Sequence, residues 1–245
     1  MTEELGKIEK PEASNIIDQR KLYVVPLVHS LPGAPDGYAS RLGAYWSAVD
    51  QHLNSLEAKA GIVKKVFHEV ISFSGDPGVD QLKQTNLPAY PFINTRLESG
   101  AVFEALDDDD LFMQVLDWGR IAQTGFSSQK VADTVQEAYT TAAGARLKHI
   151  ATTLDEKLGP GEAGIVVISS LRDIETPDDV EIFNIMPPEL DQLNRWIEEQ
   201  VRVQQAEAER MAAAAQVGQA PPAAAAAAEP PVEDDGPGLW TPGST

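Results

Sequence analysis

Residues 22–73 read LYVVPLVHSLPGAPDGYASRLGAYWSAVDQHLNSLEAKAGIVKKVFHEVISF, and the spacing of apolar residues along them decides the fold class. LYVVPLVHS (22–30) is a nearly continuous apolar run ended by LPGAPDG, the pattern of a strand buried on both faces that feeds a turn. From Tyr38 the residues Leu42, Tyr45, Val49, Leu53 and Leu56 recur every three or four positions until Gly61, which predicts an amphipathic helix with a glycine stop and Trp46 packed in the core. IVKKVFHEVISF (62–73) is rich in β-branched and aromatic residues and is cut off by GDPG, so a second strand follows at once. Strand, helix, strand in this order predicts an α/β fold, a mostly parallel sheet flanked by long amphipathic helices.

Further along, YPFINTRLESGAVFEAL (90–106) is expected to give one or two short strands around Gly100, and the acidic run 107–110 to open a helix carrying Leu111, Val115 and Trp118. Val131, Val135, Tyr139, Ala142, Ile150, Leu154 and Leu158 trace one face of a second long helix, stopped by GPG at 159–161. GIVVISS (164–170) and VEIFNIM (180–186) read as strands, and Pro187-Pro188 open a helix through Leu190, Leu193, Trp196, Ile197 and Val201. Beyond that the composition shifts to Ala, Pro and acids. The chain therefore divides into a flexible N-terminal segment (1–20), an α/β domain (21–205), and a helix end with an Ala/Pro-rich acidic tail (206–245) that is expected to be disordered.

Composition narrows the chemistry. The chain has no cysteine, which removes disulfides, thiolate metal sites and cysteine nucleophiles. Thirty-eight acidic against 19 basic residues give a net charge of −19, and the longest basic cluster is Lys64-Lys65, so nucleic acid is an improbable partner. The polar N-terminus lacks a signal-peptide pattern, and no segment approaches the ~18 apolar residues a membrane span needs, so a soluble, cytoplasmic protein is expected.

Several residues invite a functional reading. Gly159, Gly161 and Gly164 spell G-x-G-x-x-G, but a helix precedes and a strand follows, the reverse of a dinucleotide fingerprint, so the run reads as a cap and turn. His68-Glu69 starts like H-E-x-x-H, yet Ser72 stands where the second histidine belongs, and on a strand His68 and Glu69 face opposite ways. Neither a metal nor any other cofactor is expected. Glu69 itself shares a face with Phe67 and Ile71, so it is expected to be answered by a salt bridge or by an edge position open to water, or to serve as a functional acid. Asp107 to Asp110 read as a solvated helix N-terminus.

His29 and Ser30 lie where the first strand ends, as do Ser169, Ser170 and Arg172 after GIVVISS, and ligands of open α/β sheets bind outside the carboxyl ends of strands. If those strands are neighbours, Ser30, Ser170 and Arg172 form a ligand-binding set, Arg172 as the clamp for a carboxylate or phosphate, with His29 and Glu69 the candidate catalytic groups. At the other end of the chain the terminal LWTPGST places Leu239, Trp240 and Pro242 on the acidic tail, a composition suited to a short docking motif.

HIATTLDEKLGPGEAGIVVISSLRDIETPDDVEIFNIMPPELDQLNRWIEE, with YWSAVDQHLNSLEAKAG and VFHE earlier, resembles a family of uncharacterised prokaryotic α/β proteins with no assigned activity, over most of residues 22 to 200. The resemblance implies the same fold class and transfers no functional residue.

No nucleophile elbow, phosphate loop or EF-hand pattern is present. The leading expectation is therefore a cytoplasmic, non-enzymatic interaction or adaptor protein, its α/β body the scaffold and its C-terminal tail the docking element for a protein partner. The alternative is a small-molecule- or phosphate-binding α/β enzyme with its site at the carboxyl ends of the strands, His29 acting as general acid/base.

Overall fold

The computed structural model describes residues 19–31 and 33–217, the side chains of the last five excepted. Among the described residues, those through Gln200 form one compact unit and those from Val201 onward a second. The first unit is built on a five-stranded, all-parallel sheet in the order β3-β2-β4-β1-β5. Its strands are β1 (Arg20–Pro26), β2 (Val63–His68), β3 (Val102–Glu104), β4 (Ala163–Ile168) and β5 (Val180–Asn184). Its helices are α1 (Tyr38–Ala60), α2 (Gly75–Thr85), α3 (Tyr90–Glu98), α4 (Asp109–Ala122), α5 (Gln129–Lys157) and the start of α6 (Pro188–Val217).

β4 lies at the centre, buried at every position, which is why AGIVVI carries no polar side chain. Side chains alternate across the sheet and divide the core in two. On one face Tyr23, Val25, Val66 and Ile165 meet Leu42, Tyr45 and Val49 of α1, Leu82 of α2, Phe92 and Ile93 of α3 and Leu193 of α6. On the other, Leu22, Val24, Phe67 and Val166 meet Ile150 and Leu154 of α5 and Ile174 of the β4–β5 loop. Connections running toward β3 pass over the first face and those running toward β5 over the second, the pattern that a uniform hand of crossover produces.

Trp46 is buried against Tyr45 and Phe92, as its place on α1 predicts. Several elements differ from the periodicity. The first strand ends at Pro26 rather than Ser30, after which only the Leu27 N–H still reaches β4, at Ile168 O. The second ends at His68, because Val70 turns into the left-handed region at φ 71°, unusual for a β-branched residue. Of the one or two short strands expected around Gly100, one forms, β3, while YPFINTRLE before it is helix α3. Pro91 sits in its first turn, and Arg96, almost wholly buried, ties it to α1 through Asp50, Asn54 and Glu57, so tertiary contacts outweigh the local β preference. GDPG, expected to cut the second strand off, instead opens α2.

Beyond Gln200 the described part of the second unit is the continuation of α6, exposed from Val201 through residue 212. Among the described residues no helix is long and apolar enough to cross a membrane.

Candidate functional site

At the carboxyl ends of the strands the chain diverges. β2 and β1 lead into helices on one face, while β4, between them, leads into a loop on the other. Such a divergence opens crevices beside β4. Two very different arrangements occupy them.

Between β2 and β4 the crevice is filled by the protein itself. Glu69, just past β2, accepts the Ser169 N–H at 2.6 Å through one oxygen and the Arg146 guanidinium at 3.0 Å through the other. Arg146 comes from α5 and also grips Asp107, whose carboxylate receives the Val70 and Asp108 N–H groups at 3.1 Å each. The guanidinium lies 5.1 Å from the Phe112 ring, which closes it in from α4. Burial works to raise the Glu69 pKa, but the Ser169 amide and Arg146 outweigh it, so the carboxyl is held below its ordinary value and stays ionised. The partner that Glu69 requires is thus Arg146, and the acidic run it joins is only partly solvated. Asp107 is buried, Asp108 caps α4 at the Leu111 N–H, and Asp109 accepts the Ser72 hydroxyl. Among the described residues no group of His, Asp or Glu is arranged to hold a metal ion.

His68 faces the opposite way, as strand alternation predicts. Its Nδ1 lies 2.6 Å from the Glu69 carbonyl, which can only accept, so Nδ1 carries the proton and Nε2 accepts from the Asn86 amide at 3.2 Å. Burial pushes its pKa down to about 4, which keeps the ring neutral near pH 7.

The ends of β4, β1 and β5 border an open hollow of about 490 Å³. Its floor is apolar, with Val24 and Ile168 almost wholly buried and Ile182 and Met186 exposed along one side. Ser169, Ser170, Arg172 and Asn184 supply the polar rim. The Ser170 hydroxyl receives the Arg172 N–H at 3.3 Å, which folds the start of the loop over the strand end. Among the described residues none accepts from the Arg172 guanidinium.

The structure therefore brings Ser170 and Arg172 together in one hollow. Ser30 belongs to another, of about 320 Å³, formed by the loop before α1 with Asp36, Tyr38 and Pro88. His29 accepts the Tyr38 hydroxyl at its carbonyl, and lines neither hollow. Leu239, Trp240 and Pro242 lie outside the described residues. Arg146 was not accessible to sequence reasoning, since it pairs with Glu69 across 77 positions without a shared motif. Ile182, Asn184 and Met186 did carry a signal, because their period of two along VEIFNIM places them on one face of β5. No protein-family model matches the chain, and neither a curated protein nor a solved structure is detectably similar to it.

Proposed function

We propose that the α/β body is a small-molecule-binding module whose ligand sits in the hollow at the ends of β4, β1 and β5. The observation that carries this reading is a guanidinium, Arg172, uncommitted among the described residues, at the rim of an apolar floor formed by Val24, Ile168, Ile182 and Met186. Pockets for small ligands combine those two features, and the volume falls within their ~300–1,000 Å³ range. The neighbouring crevice supports the assignment, because Glu69, Arg146 and Asp107 saturate one another and leave the hollow as the polar opening beside β4. Methyl NMR with a fragment library tests it. Binding should shift the Ile168 and Ile182 methyls and leave those of Ile93 and Leu193, on the opposite face, in place. A library that moves none of the first pair rejects the reading.

The interaction role is a second reading, favoured by a separate observation. α6 carries Val201, Val203 and Met211 exposed, on a helix with no described neighbour to cover them. A protein partner engaged through this C-terminal region, with Trp240 as its anchor, is tested by Trp240→Ala. Partner recovery should fall by an amount corresponding to about 2 kcal/mol with the melting temperature unchanged. Undiminished recovery removes Trp240 as the anchor.

A further inference from the structure

We infer that the ligand of the hollow is an amphipathic monocarboxylate, an organic acid whose single anionic end meets Arg172 while its hydrocarbon part lies on Val24, Ile168, Ile182 and Met186. This rests on the hollow being a ligand seat and adds the chemistry of its occupant.

Charge sets the first constraint. The described lining residues include one cation, Arg172, with no lysine or second arginine among them, and none of them belongs to a helix that would add free backbone N–H groups. One guanidinium balances one negative charge. A phosphate dianion or a diphosphate would remain under-neutralised in a chain whose net charge is −19, and each further negative charge on a ligand meets that repulsion. A carboxylate, in contrast, matches the planar fork of a guanidinium with two parallel N–H···O bonds. The Ser170 hydroxyl and the Asn184 amide stand on the same rim and can serve the outer lone pairs.

Apolar surface sets the second. Ile182 is 38% and Met186 67% exposed, large for apolar side chains flanking two buried ones, and a ligand covering them removes that surface from water. Methionine adapts to chain shape through its three rotatable bonds, so the wall suits a flexible hydrocarbon better than a rigid polar ring. Neither constraint alone selects this class. A sugar acid would satisfy the rim and waste the floor; a neutral hydrocarbon would do the reverse.

The test titrates the full-length chain, by calorimetry and by Ile182 methyl shifts, with straight-chain carboxylates from butanoate to decanoate below their micellar concentrations. The matching alcohols, alkyl phosphates and inorganic phosphate are run beside them, and Arg172→Gln is compared throughout. Saturable carboxylate binding is expected, rising up to about fourfold per methylene until the hollow is full and then levelling. Alcohols should bind roughly tenfold or more weakly, and Arg172→Gln should abolish that difference without changing the alcohol affinity or the melting temperature. Inorganic phosphate should not bind. If alcohols shift Ile182 as strongly as the acids, or if the alkyl phosphates bind more tightly, the hollow stands as a ligand seat and the carboxylate assignment falls. If no probe shifts Ile182, both fall. Affinity that climbs without saturating would show adsorption to exposed apolar surface, and would also overturn the inference.

Discussion

Removing the Arg146 guanidinium strands two carboxylates, Glu69 and Asp107, whose side chains are only 12% and 1% exposed. An ion left unpaired in such surroundings costs about 3–5 kcal/mol, so Arg146→Met should lower the denaturation free energy by that much. Adding Glu69→Gln and Asp107→Asn to it should recover part of the loss, because the three residues act as one unit, and simple additivity in denaturant titrations would contradict this. His68 sets a pH dependence of its own. In the unfolded chain it takes up a proton near pH 6.5, in the folded one only near 4. Between those values the unfolded state binds more protons, so stability falls as the pH drops through the window, by about 3 kcal/mol in full. Glu69 shifts in the same direction but in a lower window, a depressed carboxyl whose contribution is present above its ordinary 4.5 and is lost as pH falls below it. The two windows are therefore separable. His68→Gln should flatten the stability profile between pH 6.5 and about 4 and leave the acid limb below 4.5 intact.

At the scale of elements, two helical glycines should respond in opposite directions. Gly78 brings α2 against β3 so closely that an added Cβ would lie 2.1 Å from Phe73 O and 2.9 Å from the Phe103 ring. The first of these atoms is backbone and cannot swing away, so Gly78→Ala should cost about 1–3 kcal/mol through overpacking. Gly144 lies inside α5 with nothing within 4 Å of the same position, and there alanine should stabilise by roughly 0.5–1 kcal/mol. Thermal melts of the two single variants check both signs. The same scale explains where local patterns succeed and fail. α1 and α5 are long enough for their apolar stripes to stand out, and both form where the spacing predicts. α3 is nine residues of mixed preference, and Arg96 in contact with α1 decides its state.

For the whole molecule the order of strands matters more than their identity. β1 is flanked by β4 and β5, both of which follow it by more than 130 residues, and β2 meets β4 and β3. A chain ending at residue 160 retains β1 without either neighbour and β2 with only the three-residue β3. Such a fragment should show no cooperative thermal transition by circular dichroism, whereas residues 19–217 should melt as one. A cooperative melt of the shorter piece would mean that the central β4 is dispensable. The dependence on contacts between distant segments also predicts slow folding relative to helical proteins of this length.

What the sequence determined by itself was the alternation of strand and helix, hence a mostly parallel sheet flanked by amphipathic helices, because buried parallel strands leave continuous apolar runs and amphipathic helices leave a stripe every three or four residues. It also placed Ser170 and Arg172 at a strand end, where loops of α/β sheets gather polar residues. The tertiary structure alone decided that β4 lies between β2 and β1, that Ser30 opens onto a different hollow from Arg172, and that Glu69 is answered by Arg146. The physical reason is range. Periodicity and turn chemistry record what a residue does with neighbours a few positions away, whereas strand order and ion pairing record which distant segments share the core, and that is set by the packing of the whole chain.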